Sequence, residues 1–328
     1  MSVPGQSTLF TTFTEMATTA YRNHATSAVD SVSKHNELFK QLTKDGRKRK
    51  EDGGLSIVCP IDFSENTTYK RYSGYDVLNT NAQEVLTASE FPWRQVAVFV
   101  QANGLEIRSN SGKNQIINLV KARITNAKRS FANGLSADFY SDGAATNQIG
   151  GLQLLVADAG TGTVGGIDSG TYSFWQNKVQ SAASPLQGGG GITPGPTTME
   201  SLMLPLYLRT SRGGDKTNLI IMDETYYTFF EQSQTSLKRY APADDGKAGM
   251  VNLMYKTAKV VWDSTGVIPS AHAYFLNTDF LELVVHSAAD MEIQPELRSL
   301  NQDSVGIPIL FQGNLVCSAR ERQGVMKA

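Results

Sequence analysis

The chain has 328 residues, room for two domains of ordinary size, and its 40% apolar content can fill real cores, which excludes a disordered protein. Lys plus Arg number 30 against 31 Asp plus Glu, so no global field draws the molecule to nucleic acid or to an acidic membrane. Cys59 and Cys317 are too few and too far apart for a disulfide framework or a zinc site, and point to free thiols in a reducing cytosol.

The N-terminal MSVPGQSTLF has neither the basic leader nor the apolar core of a secretory signal. The longest apolar run, near Leu202 to Leu208, is interrupted by Pro205 and falls far short of the ~20 residues that span a bilayer, so no membrane partner is expected. Residues 7–41 have a thin helical pattern, with Phe10, Phe13, Ala17, Ala20 and Tyr21 on one face and Leu38, Phe39 and Leu42 farther on. So sparse an arm must lie against the body or a neighbour. It ends in KDGRKRKEDGG, where Arg47, Lys48, Arg49 and Lys50 are consecutive cations, either a solvated linker or a contact with bound nucleic acid.

Leu55, Ile57, Cys59, Ile61 and Phe63 alternate as in a strand, and Val96, Val98 and Val100 do the same. Between them a polar stretch carrying Tyr69, Tyr72, Tyr75, Phe91 and Trp93 is too long for a hairpin turn. Pairing of the two strands, extended through this stretch, would make a long two-stranded arm whose open edges and exposed aromatics need cover. The tyrosines and Trp93 could stack on single-stranded nucleic acid, but only Lys70, Arg71 and Arg94 supply interleaved charge.

Residues 111–142 form the strongest helical signal, with Ile116, Val120, Ile124, Ala127, Phe131, Leu135 and Phe139 at spacings of three and four. Ser111 is the expected N-cap and Asp142-Gly143 the stop, giving a rod roughly 45 Å long. A short apolar element followed by a glycine-rich loop occupies residues 150–170, a second loop rich in Gly and Pro spans 188–196, and a short helix is expected between them near Phe174 to Val179. A helix over 197–209 would be capped by Thr197 or Thr198 and kinked by Pro205. Then come a buried strand at 218–222 leading into a helix at 224–234, a strand over 251–262, and a strand pair, 273–276 with 280–286, joined by Asn277-Thr278-Asp279. Alternation over 305–311 ends at Gly313-Asn314, followed by a final strand.

No catalytic, cofactor or metal set emerges, so no enzymatic activity is expected. LIIMDE at 219–224 looks like a magnesium-binding strand end, but the phosphate loop G-x-x-x-x-G-K-[ST] occurs nowhere, and Asp223 as a helix N-cap accounts for it. GIDSG at 166–170 has its serine one place off a nucleophile elbow. His24, His35, His272 and His286 form no ligand pair at helical spacing, and both cysteines sit in strand-like alternation as packing residues.

The order of parts, together with YKRYSGYDVLNTNAQEVLTASEFPW at 69–93, NQIGGLQLLVAD, TVGGIDSGTYSFWQNKV, NLIIMDETYYTFFEQSQTSLKRY and YFLNTDFLEL, resembles the major capsid proteins of tailed bacteriophages. The resemblance implies an α+β chain of the Hong Kong 97-like fold. Its parts would be an N-terminal arm (1–54), an extended hairpin loop (55–104), a peripheral domain with a long spine helix (105–148 and 285–328) and an axial domain (149–284). It implies no cofactor and a homo-oligomer, the pentamers and hexamers of an icosahedral virion shell built in the bacterial cytoplasm around non-specifically contacted double-stranded DNA. Portal and separate scaffolding proteins would be partners. Tyr69, Arg71, Tyr72, Tyr75 and Trp93 become candidate inter-subunit contacts, and Arg47, Lys48, Arg49 and Lys50 candidate DNA-facing residues. A cellular nanocompartment shell of the same fold, or a nucleotide-binding enzyme, are the alternatives.

Overall fold

The computed structural model describes residues 36–105, 113–234, 253–263, 266–293, 297–298 and 303–328. Of the expected N-terminal helix only the end is described: α1, Glu37–Lys44, is capped by Asn36, whose side chain accepts from the Phe39 N–H at 2.8 Å. Leu38, Phe39 and Leu42 are buried on one face, and Phe39 stacks on Phe139 at 5.8 Å. Residues 1–35 lie outside the described residues.

Four strands follow: β1 (Lys48–Glu51), β2 (Ser56–Asp62), β3 (Leu86–Pro92) and β4 (Arg94–Asn103). The long helix is present as α2, Lys113–Phe139, 27 residues or roughly 40 Å. Its Ile124, Ala127, Phe131, Leu135 and Phe139 are buried, the stripe that the three-and-four spacing predicts. The expected N-cap, Ser111, lies outside the described residues. Gly134 costs little space or contact, since nothing lies within 4 Å of where its Cβ would be.

Next come α3 (Leu152–Leu155) and the two-residue strands β5 (Thr163–Val164) and β6 (Ile167–Asp168). The helix expected near Phe174 to Val179 is instead a single 3-10 turn, Ser173–Trp175, running into strand β7, Lys178–Ser181. Helix α4, Met199–Thr210, contains Pro205. Thr198 sits at its N-cap without capping, because its hydroxyl donates backwards to Thr193 O at 2.8 Å. Strand β8 (Leu219–Met222) leads directly into α5 (Glu224–Ser233). The remaining strands are β9 (Leu253–Tyr255), β10 (Ala258–Trp262), β11 (His272–Leu276), β12 (Leu281–Ile293), β13 (Leu297–Arg298), β14 (Ser304–Cys317) and β15 (Gly324–Lys327).

Two sheets organise the molecule. A five-stranded sheet runs β1-β12-β14-β13 with β4 also on β14, and a six-stranded sheet runs β7-β15-β11-β8-β10-β9. Strand pairing departs from the sequence expectation in three places. The partner of residues 55–63 is β3, in register from Ser56 with Pro92 to Asp62 with Leu86, whereas the Val96, Val98, Val100 strand lies along β14. Its Val100 and Ala102 meet Ile124 and Ala127 of α2 with Ile307 and Ile309. Alternation identifies a strand but not its neighbour, and here the spine helix supplies the apolar face that β4 needs.

Residues 273–276 and 280–286 are not a pair either: β11 belongs to the six-stranded sheet and β12 to the five-stranded one. The crossing between them is held by the Asn277 carboxamide oxygen, which accepts from Asp279 N at 3.0 Å, and by Gln323, which accepts from Asn277 N at 3.0 Å. Gly313-Asn314 is not a turn, for β14 runs straight through it. A Cβ at Gly313 would lie 2.6 Å from Val284 O of β12. Asn314 donates to Pro92 O at 2.9 Å and accepts from Gly150 N at 3.1 Å, so the pair that looks like a turn is a strand crossing point.

The main core lies between α1, α2, α3 and the inner faces of both sheets; a second core packs α4 and α5 on the six-stranded sheet.

Candidate assembly surface

The hairpin of β2 and β3 has one face on the body and one in solvent. Ile57, Cys59, Ile61, Ser89 and Phe91 are buried, while Val58, Pro60, Asp62, Leu86, Ala88 and Glu90 alternate outward. The backbone alternates too. Glu90 N donates away from β2, to Gly165 O at 2.9 Å, and Phe63 N donates inward, to Val85 O at 3.0 Å. The even-numbered residues of both strands therefore direct their amides to the outer edges. Pro60 falls in that outward row and has no N–H, so the free edge of β2 lacks a donor at its centre and cannot template a continuous added strand.

Beyond Phe63 and Val85 the chain leaves the body. Every residue from 69 to 84 is exposed, with Tyr75 fully so and Tyr69 at 83%. The bonds within this loop are few and local: Thr67 Oγ1 to Gln83 Oε1 at 2.8 Å, Lys70 Nζ to Val77 O at 3.2 Å, and Ser73 N to Asp76 Oδ2 at 3.1 Å. Tyr69, Arg71, Tyr72 and Tyr75 are thus brought together on one projecting loop. Trp93 is not with them. It is half-buried at the body end of the hairpin, packed on the main core with its ring 5.8 Å from that of His286.

At the root of the hairpin a cleft of about 470 Å³ opens, walled by Phe63, Leu86, Tyr172 and Phe174 and rimmed by Glu84 and Glu90. Gly165 forms its floor beside Ser89 and Phe91, at a φ of +60° and with only 2.7 Å between its would-be Cβ and Ser89 Cβ, so the floor admits no side chain.

The basic run Arg47 to Lys50 is tied to the body. Backbone pairing sets β1 parallel to β12, and Arg47 pairs with Asp279, Lys48 with Asp290 at 2.6 Å, Arg49 with Glu51 at 3.0 Å and Glu282 at 3.2 Å, and Lys50 with Asp290 at 3.1 Å. Lys48 and Asp290 are each about 15% exposed, so this pair is screened least.

Asp223 is the N-cap of α5, accepting from Tyr226 N at 3.1 Å and also from Ala271 N at 2.8 Å. Burial pushes the Cys317 thiol up to about 12 and raises that of Cys59, which suits packing and not nucleophilic attack. Among the described residues no three His, Cys, Asp or Glu side chains gather as a metal site, and no helix is long and apolar enough to cross a membrane.

Two buried polar centres were not legible in the sequence. Arg320, fully buried, donates from Nε to Leu155 O at 2.7 Å and from its terminal nitrogens to Trp175 O and Asn177 Oδ1, each at 3.1 Å. Asp263 accepts from Tyr140 Oη at 2.5 Å and from Glu37 N at 3.1 Å, joining the start of α1 to the end of α2; burial and that carboxylate raise the Tyr140 phenol well above its ordinary range.

No protein-family model and no curated protein matches the sequence. Solved structures do match in shape. The capsid asymmetric unit of cyanophage A-1(L) superposes with a TM-score of 0.62 at 17% identity, over 86% of this chain and 90% of that one. The capsid of the empty GTA particle gives 0.54 at 11% identity, over 86% and 88%. The virus-like particle from Pyrococcus furiosus gives 0.52 at 12% identity, over 92% and 96%. The fold is therefore that of shell-forming capsid proteins. More narrowly, it is the mixed α+β Hong Kong 97-type fold of tailed-phage major capsid proteins.

Proposed function

We propose that this chain is the major capsid protein of a tailed bacteriophage, a non-enzymatic subunit that assembles into pentamers and hexamers of an icosahedral head around double-stranded DNA. One observation carries the reading beyond the fold. The loop from 69 to 84, with three tyrosines and Arg71, is exposed throughout and contributes nothing to the subunit's own cores, which is what a part made to lie on a neighbour requires. Rings closed by such head-to-tail contacts bury large obligate interfaces, often ~2,000 Å² or more. On this reading 1–54 is the arm, 55–104 the extended loop, 105–148 with 285–328 the peripheral domain and 149–284 the axial domain. Tyr69, Arg71, Tyr72 and Tyr75 contact the adjacent subunit, and Trp93 fixes the hinge from which the loop projects.

Scaffolding and portal proteins are the expected partners during assembly in the host cytoplasm, and the virion is the final location. The Arg47 to Lys50 run is proposed to face the packaged DNA, where the four carboxylates Asp279, Asp290, Glu282 and Glu51 offset much of its charge. The likeness to the Pyrococcus particle supports a cellular shell as the second reading. Electron microscopy of the purified protein is the test: closed shells support both shell readings, and nucleic acid inside shells purified from infected cells favours the phage head. A protein that stays monomeric at high concentration, with or without a scaffolding protein, refutes both.

A further inference from the structure

We propose that the cleft at the root of the hairpin receives residues 69–75 of a second copy, so that the basic, tyrosine-rich loop of one subunit docks head-to-tail into the acidic, aromatic cleft of the next. The inference rests on the shell reading and says where on the neighbour the loop is held. Three observations carry it.

The first is charge. Lys70 and Arg71 are exposed on the loop and make no ion pair among the described residues, while Glu84 and Glu90 are exposed on the rim of the cleft and make none there either. Two unmatched cations and two unmatched carboxylates on one chain are complementary between copies. The second is shape and chemistry. The cleft is about 470 Å³, within the ~300–1,000 Å³ range of side-chain and ligand pockets, and its walls are Phe63, Leu86, Tyr172 and Phe174. A tyrosine entering it finds edge-to-face ring partners, and its neighbouring Lys70 and Arg71 meet the rim. The third is reach. About 11 residues in each limb of the loop extend at most roughly 36 Å, enough to leave the parent subunit. The Pro60 gap in the edge of β2 removes the competing mode, addition of a partner strand, and leaves recognition to side chains.

The test uses the full-length protein. Reversing the cleft (Glu84→Lys with Glu90→Lys) or the loop (Lys70→Glu with Arg71→Glu) is expected to raise the protein concentration needed for shells at least about tenfold, the effect of ~1.4 kcal/mol per contact. Combining all four substitutions is expected to restore assembly towards the unaltered level. The proposal is overturned if either reversal assembles normally, or if the combined variant is no better than the two reversals. A second measurement reads the contact itself: Tyr72→Cys protein and Leu86→Cys protein, mixed at high concentration and mildly oxidised, should form a disulfide-linked dimer absent from either alone, and its absence counts against the cleft. Should the unaltered protein form no shells, the shell reading fails separately, and the mixed-cysteine dimer still decides the cleft.

Discussion

Arg320 shows how one side chain can join distant parts of a chain. Its guanidinium closes off carbonyls of Leu155 and Trp175 and the Asn177 side chain, with no carboxylate paired to it among the described residues, and burial lowers its pKa from the ordinary value. Lys offers one nitrogen where Arg offers a planar fork, so Arg320→Lys should leave buried acceptors bare and cost about 2–4 kcal/mol, read as a lower urea midpoint of the unassembled subunit. Cys317 makes a pH prediction. Its thiol is held up near 12 when folded against an ordinary value of 9.0, so the neutral form is favoured by folding. That contribution is fully present below pH 9 and is lost as pH rises from 9 towards 12, at up to about 1.4 kcal/mol per unit. Cys59 and the buried phenol of Tyr140 are raised as well, so chemical denaturation across that range should show a fall in both proteins, steeper in the wild type than in Cys317→Ala. Asp223→Ala should cost about 1–2 kcal/mol as a lost helix cap.

Among the elements, β1 is the clearest case of a segment whose structure comes from its partners. Four consecutive cations read as linker or as a phosphate contact, and nothing local says strand; pairing with β12 and with three carboxylates far along the chain, Asp279, Glu282 and Asp290, makes it one. Replacing Arg47, Lys48, Arg49 and Lys50 with Gln should destabilise the subunit by about 1–3 kcal/mol, mostly through Asp290, which would be left partly buried without a cation. An unchanged melt with a weaker, less salt-dependent DNA contact would instead assign the run to phosphate. The same division runs through the rest of the molecule. Long periodic signals such as α2 and local ones such as the Asp223 cap were readable, because they depend on residues within a turn or two. The partner of β2, the crossing at Asn277 and the passage of β14 through Gly313 were not, because each is decided by contacts beyond the reach of a local pattern, from Ser56 with Pro92 and Asn277 with Gln323 to Asn314 with Pro92. Of the candidate contact residues, the exposure of the three tyrosines follows from a loop with too little apolar content to fold on itself, whereas the half-burial of Trp93 beside His286 depends on a partner far along the chain, which no local pattern shows.

For the whole molecule, on the proposed shell reading, folding and assembly occupy different residues. Ile124 is 5% exposed between α2 and β4, so Ile124→Asp buries an unpaired charge, costs several kcal/mol and should yield insoluble or degraded protein. The loop beyond Phe63 and Val85 has no such role in the subunit. The decisive experiment replaces residues 66–82 by Asn-Gly, keeping the Phe63 to Val85 bond, and follows circular dichroism on heating beside sedimentation of the same sample. The expected outcome is a cooperative melt close to that of the full-length subunit together with complete loss of shells. A shortened protein that melts as poorly as Ile124→Asp, or that still closes shells, would contradict the claim that this loop exists for the neighbouring subunit.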